Sequence, residues 1–173
     1  MRQGEELPTD ASCLIYLARI DGFQRAARCL DGLVVGPAVW REAVDDGEQY
    51  GYDDVYRIRH AEQDRFIRRV ALDDVVSAVA GTLATAWRLG QGESETLALG
   101  RDVGRAVVDD GRATRVATAI GIEPVSTLFL PVLGALRGLE RDEAIRFLRE
   151  LAVVMSARAE AVFAVEEFIR RSR

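Results

Sequence analysis

Lysine is absent from the 173-residue chain: all 23 basic residues are Arg, set against 28 Asp and Glu for a net charge of −5. That balance excludes a strongly basic DNA-coating protein. Arg alone favours forked, bidentate contacts with carboxylate or phosphate, although a GC-rich codon bias gives the same composition. Only two cysteines occur, Cys13 and Cys29, and no CxxC spacing. They are too few for a disulfide scaffold or a four-ligand zinc site and read as small core residues in a reducing compartment. The single histidine, His60, has no Ser or Cys that matches it as a triad and reads as a surface residue. No apolar run reaches the roughly 18 residues that span a bilayer, and the start MRQGEELPTDAS lacks a charged-then-apolar leader. The chain therefore reads as cytoplasmic, with no membrane partner. GxSxG, DxD and Gly-rich phosphate loops are also missing, which disfavours a phosphatase or an α/β hydrolase.

What is present is a globular composition, 49% apolar and 29% charged, at a length suited to one domain over residues 1–173. Asp10 precedes the run SCLIYLARI, whose Leu14, Leu17 and Ala18 recur at helical spacing. A second helix is predicted over 22–30, a buried strand over 33–35 ending at Gly36-Pro37, and a helix over 38–44, where Pro37 suits the first turn. The segment DDGEQYGYDD marks a loop, and 45–89 reads as an inserted or flap region. Within it, 56–69 is a polar helix or irregular arm, 70–72 a possible strand, and 75–89 small and apolar. Helix over 93–101, strand over 105–108, helix over 111–120 and strand over 122–125 follow. Residues 127–138 and 140–171 are helical, with a break near Met155-Ser156, so 141–173 forms a C-terminal helical extension. Short apolar strands alternating with helices predict an α/β fold with a parallel sheet covered on both faces.

In such sheets ligands bind beyond the carboxyl ends of the strands. Asp10, Asp109-Asp110 and Glu93 have that address, and Glu42 lies one turn into the helix after Gly36-Pro37. Each also has a plainer reading: Asp10 as a helix N-cap, Asp109-Asp110 as turn and cap, Glu42 as a solvated residue. Converging carboxylates raise one another's pKa unless a cation neutralises them. All-oxygen ligation suits Mg²⁺ or Mn²⁺, and a bound ion activates water for phosphodiester hydrolysis without a side-chain nucleophile.

The blocks DASCLI, VVGPAVWREA, GESETLALG, RAVVDDGRATRVATAIGI and STLFLPVLGALRGL, in this order from Asp10 to Glu140, resemble the PIN-domain family. The likeness is to its VapC-like group, with a GExE helix and a DD strand end. The resemblance implies a three-layer αβα sandwich around a central parallel sheet and Mg²⁺- or Mn²⁺-dependent hydrolysis of RNA. It assigns catalysis to Asp10, Glu42, Glu93 and Asp109, and the metal to Asp10, Glu93, Asp109 and Asp110. Ser12 is implied as a hydrogen-bonding support. Glu93 and Glu95 stand about 200° apart on a helix and cannot both face one metal; the motif favours Glu93. The residues before Asp10, EELPT, are not the family's aliphatic run, so the first strand is expected to be short, frayed or displaced. Ser126-Thr127 stands where the family has Gly-Thr.

Arg112 and Arg115, one turn apart, are candidates for a substrate phosphate or for ion pairs with Asp109 or Asp110. Arg57, Arg59, Arg65, Arg68 and Arg69 either bind an RNA backbone or pair with Asp53, Asp54, Glu62 and Asp64. Tyr50, Tyr52 and Tyr56 either stack on bases or pack in a loop, and Trp40 and Trp87 read as core or interface anchors. The functions this supports are the toxin ribonuclease of a toxin–antitoxin pair, with a small antitoxin partner and a homodimeric state, or a catalytically inactive PIN-fold binding module for nucleic acid or protein.

Overall fold

The structure is a computed structural model that describes residues 6–172; residues 1–5, the start of the polar N-terminal stretch, and 173 lie outside the described residues. Strands β1 (Glu6–Pro8), β2 (Gly32–Val35) and β3 (Ile67–Arg69) pair in parallel in that order, with Leu7 opposite Leu33 and Val34 opposite Arg68. Strands β4 (Arg105–Val107) and β5 (Glu123–Val125) pair in parallel, Ala106 opposite Pro124. A parallel bridge between Thr9 and Val107 sets β4 beside β1, and the Asp10 N–H donates to the Val107 carbonyl at 3.2 Å. The order is therefore 3-2-1-4-5, and it reverses direction between β1 and β4. A reversal of this kind opens a crevice beyond the carboxyl ends of the two strands that flank it.

Successive strand residues feed two different cores, so these strands read as continuous apolar runs. Val107 joins Leu7, Leu33, Val35 and Ile67 on one side, while Ala106 and Val108 join Leu97, Val116 and Ile122 on the other. Helices α1 (Ala11–Arg19), α2 (Phe23–Ala26), α5 (Asp54–Gln63), α9 (Leu130–Leu136), α10 (Arg141–Val154) and α11 (Ala159–Arg171) contribute to the first core. Helices α6 (Asp74–Trp87), α7 (Gln91–Val103) and α8 (Gly111–Ala119) contribute to the second. The result is the αβα sandwich that the alternation of strands and helices predicts. Ser156 takes a left-handed φ of 49° between α10 and α11, at the break read from the sequence. The first strand is short, three residues, yet Leu7 is buried and Thr9 N–H donates to the Val34 carbonyl at 3.0 Å.

Two expectations are corrected. The third strand lies at Ile67–Arg69 rather than 70–72, because Ile67 is the side chain that enters the core; Val70 only extends the ladder through its N–H to Val35. Of the loop expected over DDGEQYGYDD, only residues 50–53 form a turn. Helix α3 (Pro37–Trp40) continues through a π-helical turn (Arg41–Asp45) into α4 (Asp46–Gln49), with Val44 and Gly47 buried. Helix α5 then buries Val55, Ile58 and Ala61, so of the two readings of 56–69, polar helix or irregular arm, the helix is found, packed on the core and followed by a sheet strand. Among the described residues no helix is long and apolar enough to cross a membrane.

Candidate active site

Asp10 ends β1 and Asp109 follows β4, so the two lie on either side of the crevice at the order reversal. Asp10 is buried and caps α1: its Oδ1 accepts from Cys13 N–H at 3.0 Å and its Oδ2 from Asp109 N–H at 3.4 Å. Burial pushes its pKa up to about 7 against the pull of the Cys13 N–H, with the charges of Asp109 and Glu93 adding to the rise. Asp109 is also raised by burial, opposed by the hydroxyls of Thr127 and Ser126 and by Thr127 N–H. Ser126 Oγ and Thr127 N–H reach Asp109 Oδ1 at 2.8 and 3.0 Å, and the Thr127 hydroxyl donates to Oδ2. Tyr16, farther along α1, is shifted upward by burial and by the charges of Asp109 and Asp10. Removing protons from this crevice is therefore unfavourable while no cation is present.

Glu42 stands on the π-helical turn against the start of α7, where a Cβ on Gly92 would come within 2.8 Å of its Oε2. A side chain at position 92 would push the carboxylate out of this place. Burial raises the Glu42 pKa; the Gly92 N–H and Arg41 oppose the rise, and Glu93 and Glu95 add to it. Glu93 is the third residue of α7, and its Oε2 accepts from Gly90 N–H at 2.8 Å in the manner of a capping box. Glu95 points elsewhere. It is buried, its Oε2 accepts from Ala38 N–H at 2.8 Å, and a Cβ on Gly36 would meet that oxygen at 2.5 Å. Glu95 thus anchors the first turn of α3. Replacing it by Ala is expected to lower stability by roughly 1 to 3 kcal/mol, because a buried donor loses its partner. Glu93→Ala removes only a part-exposed cap and is expected to melt within a few degrees of the parent; thermal melts of the two variants separate the roles.

Asp110 caps α8 through Oδ1, which accepts from Arg112 and Ala113 N–H at 2.7 and 3.0 Å. With Glu93 it borders a cleft of about 430 Å³ that Arg88, Arg112 and Arg115 also line. Arg112 donates to the Arg88 carbonyl at 2.9 Å, and neither Arg112 nor Arg115 pairs with Asp109 or Asp110. The other arginine group is spread out and mostly occupied. Arg57 donates to the Ala18 carbonyl at 2.7 Å, Arg59 pairs with Glu48 at 2.6 Å and Arg68 with Glu6 at 2.6 Å. Arg69 pairs with Glu62 at 3.6 Å and lies over the Trp40 ring. Arg65 has no charged partner among the described residues. Ser12 is half-buried on the first turn of α1, and its hydroxyl bonds no carboxylate among the described residues.

Among models of known protein families, one described as PIN domain matches residues 8–163. The chain belongs to the PIN-domain family. No curated protein and no solved structure matches it. PIN domains are generally nucleases, hydrolases that act on nucleic acid, and they generally use divalent metals.

This PIN domain supplies an all-oxygen donor set of the kind a hard divalent ion takes. Among the described residues, however, no three His, Cys, Asp or Glu side chains are drawn into one ready ligand set. Each carboxylate instead accepts from nearby hydrogen-bond donors: Asp109 from Ser126 and Thr127, Glu93 from Gly90, Glu42 from Gly92, Asp110 from its helix. The fit to a cation rests on the buried Asp10 and the half-buried Asp109, two carboxylates that meet at one crevice, where the Asp109 N–H reaches Asp10 Oδ2, and whose charged forms burial disfavours.

The residues that hold Asp109 were not assigned roles from the sequence. Ser126-Thr127 is legible only as a departure from a family pattern, since its contact with Asp109 spans the β4–α8–β5 crossover. Removing the Thr127 hydroxyl in Thr127→Val is expected to reduce metal-dependent turnover about 10- to 100-fold, the range for groups that orient a metal ligand. The check is kcat with the ion concentration saturating, so that a lowered ion affinity does not mimic the loss.

Proposed function

We propose that this PIN domain is a Mg²⁺- or Mn²⁺-dependent endoribonuclease in which Asp10, Glu42, Glu93 and Asp109 form the catalytic acid row. One observation carries the reading: two carboxylates, the buried Asp10 and the half-buried Asp109, straddle the crevice at the strand-order reversal, next to an arginine-lined cleft that begins at Glu93 and Asp110. Asp10, Glu93, Asp109 and Asp110 would hold the metal. A bound ion activates a water and offsets charge on the phosphate. Asp10 and Asp109 are fixed in place beforehand by Cys13, Ser126 and Thr127. Glu42, whose pKa burial raises, would accept a proton from the attacking water. Arg112 and Arg115 contact the RNA backbone, where forked guanidinium groups suit phosphate oxygens.

The same reading makes the protein the toxin of a toxin–antitoxin pair: a net charge of −5 attracts a small basic antitoxin to the acidic groove. A second copy covers exposed Phe163 and Phe168 on α11, making a homodimer. The experiment is incubation of the full chain with single-stranded RNA in Mn²⁺, in Mg²⁺ and in EDTA. Cleavage in either ion and none in EDTA supports the nuclease; RNA binding without cleavage in any condition marks a silent binding module instead.

A further inference from the structure

Glu42 also lines a second concavity, of about 240 Å³, between α1, the α3–α4 helix and the start of α5. Ile15 and Val55 form its floor, Tyr50 and Tyr52 its outer wall, and Glu42 and Asp46 its polar edge. Both tyrosines are strongly exposed, 70% and 60%, and their rings stand 6.1 Å apart at 37°, tilted rather than stacked on each other. They stand in the turn between α4 and α5, touching each other yet leaving most of their surface open to water. Large aromatic faces presented to water beside a cleft mark a place where another flat group is received.

The lining decides what that group is. Arg19 is taken up by Asp54 at 3.3 Å, and Glu42 is held at Gly92, but the Asp46 carboxylate has no partner among the described residues. Carboxylates repel phosphate, so the cleft takes an uncharged ring with N–H donors rather than the backbone. We infer that it is a subsite for one unpaired nucleobase of the RNA, stacked against Tyr50 and Tyr52 and read by Asp46. An ionised carboxylate only accepts, with two oxygens side by side. Guanine offers it two adjacent donors, N1–H and N2–H. Uracil offers one N–H between two carbonyl oxygens that the carboxylate repels. Guanine is therefore preferred over uracil, and a base already paired in a duplex is excluded.

This subsite extends the nuclease reading to the choice of substrate, and its test needs neither metal nor cleavage. The full chain in EDTA is titrated with the fluorescently labelled pentaribonucleotides UUGUU and UUUUU, and with a hairpin duplex whose stem holds UUGUU fully paired. The parent binds single-stranded UUGUU at least about fivefold tighter than UUUUU and tighter than the duplex. Tyr50→Ala and Tyr52→Ala weaken UUGUU at least about fivefold, the range for one stacked base. Asp46→Asn removes the preference for G over U while leaving UUUUU unchanged. Because these side chains are exposed, the variants keep the parent's melting temperature, which is measured alongside.

Equal binding of UUGUU and UUUUU, or no binding of either at tens of micromolar protein, overturns the subsite. So do tyrosine variants that alter the protein's mass in solution but not its RNA affinity, a result that makes the cleft a protein contact. A protein that cuts RNA with Mn²⁺ and shows none of these dependences loses the subsite and keeps the nuclease. One that shows them and never cuts keeps the subsite and loses the nuclease.

Discussion

Asp10→Asn makes the metal-free protein more stable at pH 8 and stops it cutting RNA. Burial and neighbouring carboxylates raise the Asp10 pKa from 3.8 to about 7, so at pH 8 the native state carries a charge it disfavours. A shift of that size corresponds to a ceiling of about 4 kcal/mol. Asn keeps the cap on Cys13 N–H and removes the charge, at the expense of the long contact with Asp109 N–H. In a chain of this length the gain is a rise in melting temperature of up to roughly 10 °C. Cleavage falls by more than about 100-fold, since losing a ligand exceeds the 10- to 100-fold loss typical of the groups that merely orient one. Opposite signs on stability and activity in one variant are characteristic of a residue kept for chemistry at the expense of the fold. An Asp10→Asn protein that melts lower than the parent at pH 8 contradicts the electrostatic account.

Stability of the parent should fall as pH rises, and a divalent ion should reverse the fall. The sign follows from proton binding: between about pH 4 and 7 the native Asp10 holds a proton that the unfolded chain has released. Its contribution is fully present below pH 4 and declines by about 1.4 kcal/mol per pH unit until the native group ionises near pH 7. Asp109 and Glu42, both raised mainly by burial, act in the same direction. Glu166, lowered chiefly by its hydrogen bond from Arg170, acts oppositely at lower pH, but its arginine partners Arg149 and Arg170 are exposed and the effect is weak. Mn²⁺ at 100 times its dissociation constant adds about 2.7 kcal/mol at pH 8, roughly 5 to 10 °C. At pH 5.5 protons compete for Asp10 and the rise shrinks. Melts at four pH values with and without Mn²⁺ check both slopes; an ion effect that is larger at pH 5.5 than at pH 8 refutes this linkage.

Local chemistry made much of the architecture legible. The apolar runs at 33–35 and 105–108, the caps at Asp10 and Asp110, and the break at Ser156 are decided within a few residues. The third strand was misplaced because a single apolar residue, Ile67, reaches the core. Its neighbours Arg68 and Arg69 find their partners, Glu6 and Glu62, only once the sheet and α5 are in place. Within DDGEQYGYDD the turn-forming composition holds at 50–53, where Gly51 takes a left-handed φ of 72°, whereas Asp46–Gln49 is drawn into a helix that buries Gly47. At the site, helix geometry separates Glu93 from Glu95, but the hydrogen bond that occupies Glu95 comes from Ala38, 57 positions away. The hold of Ser126 and Thr127 on Asp109 is equally non-local. Residues that form the acid row lie at strand ends and are visible as such; residues that orient them are defined by packing.

The most direct measurement of the central claim is cleavage of a labelled single-stranded RNA by the parent and by Asp109→Asn, purified identically, in Mn²⁺ and in EDTA. The account predicts cutting by the parent in Mn²⁺ only, with products free of 2′,3′-cyclic phosphate because water, not the 2′-hydroxyl, attacks. It predicts no cutting by the variant in either condition. Equal cleavage by parent and variant, or cleavage by the parent that persists in EDTA, contradicts a metal-dependent acid row built on Asp109.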